Sequence, residues 1–102
     1  MGNKINIDQS LFIPVGSHND GLVISSAVDL ITTINDSNVT KLLIQSLTQN
    51  SRYTLDGTTP TSTKGFQLKT TDPPVIISLV GITSLKVIQE AATADLQFQG
   101  GK

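Results

Sequence analysis

The stretch Arg52-Tyr53-Thr54-Leu55-Asp56-Gly57-Thr58-Thr59-Pro60-Thr61, with Gly65-Phe66-Gln67-Leu68 soon after it, limits the possible folds of this chain more than any other. Residues 52–55 alternate polar and apolar, the period of a half-buried strand, and Asp56-Gly57 supplies a residue that enters the left-handed region without a Cβ clash. Pro60 fixes its own φ and has no N–H to give to a ladder, so a strand cannot run through it. Strand, turn and second strand predict a rigid corner that presents Thr58, Thr59 and Thr61 at the surface. Asp56, Gly57, Pro60 and Gly65 are its structural residues. Nothing in the corner has the makeup of a catalytic centre, and it suits a β-sandwich module whose work is contact.

The rest of the chain repeats the theme of short strands and turn residues. Thr, Ser, Val and Ile are plentiful and no long stretch has helical periodicity, which predicts an all-β domain. Residues 10–15 hold Leu11, Phe12 and Ile13, and Ser17-His18-Asn19-Asp20-Gly21 reads as a loop. Strands follow at 22–25 and 28–32, then a turn cluster at Asn35-Asp36-Ser37-Asn38. Residues 39–47 are the longest apolar segment, with Leu43 and Leu47 on one face and Leu42 and Ile44 on the other. This predicts a central strand covered on both sides, in preference to a short uncapped helix. Further strands are expected at 65–69 and 75–79, separated by Asp72-Pro73-Pro74, which no helix crosses. Residues 84–89 and 93–98 form an expected closing hairpin, with Ala94, Leu96 and Phe98 inward and Asp95 and Gln97 outward. The total is seven or eight antiparallel strands, the count of a single small β-sandwich or jelly roll. Residues 1–21 are set apart as an N-terminal arm or first strand, residues 22–102 as the sandwich. Gly100-Gly101-Lys102 is expected to be a free tail.

Composition narrows the function. A chain of 102 residues makes one domain and buries only about 60–65% of its unfolded surface, so association with copies of itself or with a larger partner helps to stabilise it. There is no cysteine for a disulfide or thiolate metal site. Lys+Arg 7 against Asp+Glu 8 leaves a net charge of -1, with no electrostatic footprint for nucleic acid or an anionic membrane. No apolar run reaches the length of a membrane span, and Met1-Gly2-Asn3-Lys4-Ile5-Asn6 lacks the apolar core of a signal peptide. The expectation is a soluble protein made in a cytoplasm.

Catalytic ingredients are few. His18, with Asp20 nearby and Ser17 or Ser10 as imagined nucleophile, has no nucleophile-elbow pattern around it and reads as a solvated loop residue. The carboxylates are scattered over turns and strand exteriors, in no calcium-loop spacing, and Asp56 reads as the cap of its own turn. No glycine pattern cradles a phosphate. The expectation is a non-enzyme without cofactor or metal. Arg52 and Lys86 lie on expected strands, free to meet a partner's carboxylates or water. Tyr53 is read as a core or interface residue rather than a platform for a sugar ring.

Residues 22–100 resemble a family of small structural proteins of tailed bacteriophages. The family pattern is an apolar strand ending in V-R-Y or V-R-W, a D-G-T-x-P-T turn, a G-[FM]-x-L strand and a final hairpin near an aromatic residue. It is matched by Ser51-Arg52-Tyr53, residues 56–61, Gly65-Phe66-Gln67-Leu68, and Ser84-Leu85-Lys86-Val87-Ile88 leading to Leu96-Gln97-Phe98-Gln99-Gly100. Ser51 stands where the family has Val, and residues 1–21 have no counterpart. The resemblance implies a virion component, foremost a capsid decoration (cement) protein that binds the major capsid protein as a homotrimer. Head-completion and tail-associated roles are the alternatives. Residues 1–15, with Ile5, Ile7, Leu11, Phe12 and Ile13, are then a candidate arm that orders on the capsid, along with Arg52 and Tyr53 as contacts; its other reading is an ordinary edge strand of the same domain. The turn from Tyr53 to Thr61 is also similar to one in the immunoglobulin-like accessory domains of bacterial glycosidases, which implies a carbohydrate-binding module.

Overall fold

The computed structural model describes residues 12–102. Eight strands form two four-stranded antiparallel sheets packed as a sandwich. They are β1 (Asn19–Val23), β2 (Val28–Asp29), β3 (Lys41–Leu47), β4 (Ser51–Thr54), β5 (Phe66–Leu68), β6 (Val75–Ser78), β7 (Lys86–Gln89) and β8 (Asp95–Gly101). One sheet has the order β1-β8-β3-β6 and the other β2-β7-β4-β5. First therefore pairs with last, second with seventh, third with sixth and fourth with fifth, which is the winding of a jelly roll. Among the described strands only β4 and β5 are neighbours both in sequence and in one sheet. The turn between them is thus the tip around which the chain is rolled, and that is why the sequence of residues 52–68 is so demanding.

Alternation along the strands builds the core. In β3, Leu42, Ile44 and Ser46 are buried while Lys41, Leu43, Gln45 and Leu47 are half-buried. In β8, Leu96 and Phe98 are buried and Asp95, Gln97 and Gln99 half-buried. The strand expected at 39–47 is present and central. It is fully covered on one face only, because its other face meets no second layer among the described residues. Ile24, Leu30, Leu68, Ile77, Leu85, Val87 and Ala94 complete the buried cluster from the remaining strands and connections.

Four expectations need correction. Residues 28–32 are not a strand: after two residues of β2 the chain enters helix α1 (Leu30–Ile34). Asp29 caps it, its Oδ1 accepting from the Ile31 N–H at 3.1 Å and from the Leu85 N–H at 3.3 Å. Asn35 ends it in the left-handed region at φ 47. Asn19, Asp20 and Gly21 are not loop but the start of β1, so the arm boundary expected after Gly21 falls inside a strand. The hairpin expected from 84–89 and 93–98 does not form, because β7 and β8 belong to opposite sheets. A short apolar pair separated by turn residues has the same pattern whether it folds flat or crosses between layers.

The fourth correction concerns the tail. Gly100 and Gly101 lie buried in β8. Ile13 exchanges backbone hydrogen bonds with Lys102, both 2.9 Å, and the Val15 N–H donates to the Gly100 carbonyl. A Cβ on Gly101 would come within 2.6 Å of the Phe12 ring, so the bare glycine provides the slot that the ring fills. Phe12 is buried there, holding the two ends of the described chain together.

Candidate contact surface at the central hairpin

The β4–β5 hairpin is held by hydrogen bonds on its outer face and by an aromatic pair on its inner face. Arg52 opposes Gln67 across the ladder, and Tyr53 opposes Phe66. The Arg52 Nε donates to Glu90 Oε2 at 2.7 Å, an ion pair with the residue that follows β7. Its Nη1 donates to the Gly65 carbonyl at 3.0 Å. Gln67 Nε2 donates to the same Glu90 oxygen at 2.8 Å. One carboxylate thus ties three strands together, and the guanidinium is engaged within the chain rather than held out to a partner.

On the other face the Tyr53 and Phe66 rings lie 5.5 Å apart at 42°, within the range of tilted aromatic pairs. Tyr53 packs against the core, and burial raises its hydroxyl above the ordinary tyrosine value. Phe66 remains 63% exposed. The sequence points to Tyr53 as the aromatic contact, but the ring open to solvent is Phe66. Both belong to the core-facing side of the sheet; β5 is the edge strand, so its aromatic residue overhangs the sandwich.

The turn between the strands is fixed residue by residue. The Asp56 carboxylate accepts from the Thr58 N–H at 3.0 Å, and Gly57 follows at φ 90. Hydrogen bonds from the Thr58 side chain and then its backbone hold the Asp56 carboxyl below the usual aspartate value. Thr54 Oγ1 donates to the Thr58 carbonyl, and Lys86 Nζ donates to the Gly57 carbonyl at 3.1 Å. Pro60 is fully buried, so it anchors the turn as well as ending it. Thr61 and Lys64 exchange backbone hydrogen bonds. Gly65, at φ 124, passes so near Tyr53 that a Cβ would meet its carbonyl oxygen at 3.0 Å. Thr59 and Thr61 are exposed as expected, whereas Thr58 is half-buried.

Between turn and strand lies an open cleft of about 450 Å³, lined by Thr54, Leu55, Asp56, Thr58, Lys64, Gly65 and Phe66. Its lining is mostly apolar, with one acid and one base at the rim. It has the makeup of a contact site: a pre-formed depression beside an exposed aromatic ring.

The other expected residues lie elsewhere. Ile5, Ile7 and Leu11 are outside the described residues. His18 precedes β1, and its Nε2 lies 3.1 Å from Gln97 Oε1. No group of three or more His, Cys, Asp or Glu side chains converges among the described residues. Sequence reasoning misses Glu90 and Phe66; the register pairing Arg52 with Gln67 reveals the first only once β7 is known to flank β4. The chain matched nothing when compared with protein-family models, with curated proteins and with solved structures.

Proposed function

We propose that this chain is a structural component of a tailed-bacteriophage virion, a decoration protein seated on the outside of the head against the major capsid protein. The observation that carries the reading is where the phage-like pattern falls. Its D-G-T-x-P-T and G-F-x-L elements form the hairpin between β4 and β5, and Gly57 and Gly65 stand at φ 90 and φ 124, where glycine is required. The pattern is thus a physical requirement of the winding. Jelly rolls recur among viral capsid proteins, which is support by analogy of fold.

The contact logic is multivalent. A small module offering one aromatic ring and one cleft binds weakly alone; repeated over a lattice, and closed as a homotrimer by head-to-tail contacts at symmetry positions, many copies lock neighbouring capsid subunits. Phe66 and the cleft around Leu55 are the proposed capsid-facing patch, with the Arg52–Glu90 pair keeping that strand in place. A head-completion or tail role differs by a low, fixed copy number.

The same patch favours a second reading on one observation: the Phe66 ring stands open beside Asp56 and Lys64, the combination on which a sugar ring stacks and hydrogen-bonds. Particles lacking the protein test both. Saturable binding in many copies, lost in Phe66→Ala, supports decoration; glycan binding without particle binding supports the second reading.

A further inference from the structure

A jelly roll leaves four edge strands, and three of them here are finished in ways that discourage pairing with another chain. β1 is interrupted by a shift in register between Asn19 and Leu22, with Asp20 inside it. β2 is two residues long. β5 is three residues long, follows Gly65 at φ 124, and is flanked by Lys64 and Lys69. The remaining edge, β6, has none of these features. Residues 73–85 carry no charged side chain, the strand has no bulge, and among the described residues only β3 pairs with it. Ile76 is 40% exposed and Val80 76% exposed at this margin.

The register fixes which backbone groups are open. The Leu79 N–H donates to the Thr40 carbonyl at 2.8 Å, and from there the pairs run Lys41 with Ser78, Leu42 with Ile77 and Leu43 with Ile76. In an antiparallel ladder the bonding direction alternates, so Val75 and Ile77 turn their N–H and C=O toward β3. Ile76 and Ser78 turn theirs away from the sheet. These two residues flank Ile77 symmetrically.

We propose that β6 is a self-pairing edge: two copies of this chain join through antiparallel β6 strands about a two-fold axis at Ile77. In that register Ile76 of each copy lies opposite Ser78 of the other, and each exchanges N–H···O=C bonds with it. A two-fold contact must be self-complementary, and an edge with no charge meets its own copy without like-charge repulsion. The pairing covers Ile76, while Val80 lies beyond the ladder in the turn that the Ile82 N–H closes on the Leu79 carbonyl. Pro74 has no N–H, so the ladder stops there with its ends defined. The result is one continuous sheet running through both copies. The contact is independent of the proposed virion role: it joins free copies in pairs in solution, whereas the ring of three proposed for the capsid uses other faces and closes only on the lattice.

The test is the solution mass of the whole chain by light scattering across a dilution series, with two variants. Ser78→Pro removes an N–H that points away from β3, so it spares the internal ladder while blocking the pairing. Ile76→Lys puts a charge on each side of the axis. A dimer that becomes a monomer in Ile76→Lys, and in Ser78→Pro where circular dichroism shows that variant folded, supports the proposal. A monomeric or trimeric wild type, or a dimer unchanged in Ile76→Lys, overturns it. Slow amide exchange at Ile76 and Ser78 in the dimer, turning fast in Ile76→Lys, is the accompanying signature, and fast exchange in the wild-type dimer contradicts the register.

Discussion

β5 and β6 are consecutive strands, each at the edge of its own sheet, and they are finished in opposite ways. β5 is short, follows Gly65 at φ 124, is flanked by lysines and is tied through Gln67 and Arg52 to Glu90. β6 keeps one register with β3, carries no charge and, among the described residues, has no second strand beside Ile76 and Ser78. Polar connections at the first hold a fixed arrangement of side chains; at the second the backbone groups of Ile76 and Ser78 are the proposed point of contact. On the roles proposed above, one domain carries two kinds of candidate contact, a side-chain patch at the hairpin and a ladder at the edge.

The largest expected effect lies at the hairpin. Gly65→Ala places a Cβ against the Tyr53 carbonyl in a left-handed backbone, and we expect a loss of about 2–3 kcal/mol in urea unfolding. A loss under about 0.5 kcal/mol would mean the hairpin yields easily and the contrast with β6 is weak. Next comes Arg52→Ala, which leaves Glu90 with the Gln67 amide alone. Because both partners keep part of their exposure, at 24% and 19%, the expected loss is about 1 kcal/mol rather than that of a buried pair. A double-mutant cycle with Glu90→Gln isolates the coupling.

On the other side of the comparison, Ile76→Lys should change unfolding free energy by no more than about 0.5 kcal/mol in the monomer, since it sits on an outer face. A large destabilisation there would show that β6 is structural rather than a free edge. The smallest effect concerns pH. Asp56 is held below its ordinary value by hydrogen bonds that favour the carboxylate. Its contribution is therefore complete above the ordinary aspartate range and is lost as pH falls through the lowered folded-state value. Asp56→Asn keeps the acceptor and should flatten the acid dependence of the Thr58 amide resonance; an unchanged titration would place the proton elsewhere.

Much of this architecture is legible in the order of the residues alone. The alternation in residues 41–47 and 95–98 marks the core faces, and Asp56-Gly57 with Pro60 marks the hairpin tip. Helix α1 is obscured by its β-branched composition, Leu30-Ile31-Thr32-Thr33-Ile34, although Asp29 and Asn35 stand at its cap positions. The role of Gly100 and Gly101 depends on Val39 and Phe12, far away in sequence, filling the space a Cβ would occupy. Adjacent strands in opposite sheets leave no local mark, so β7 and β8 read as a hairpin. At the candidate site Tyr53 is visible in the pattern, whereas the exposure of Phe66 follows from its place on an edge strand and the capture of Arg52 from Glu90 arriving at the end of β7.

The most direct test of the central claim is to count copies bound when purified protein is added to phage heads that lack it. A decoration protein binds saturably in lattice numbers, and Phe66→Ala, in a variant that still folds, abolishes the binding. No binding to heads, or binding of a few copies at the neck or tail only, would contradict it.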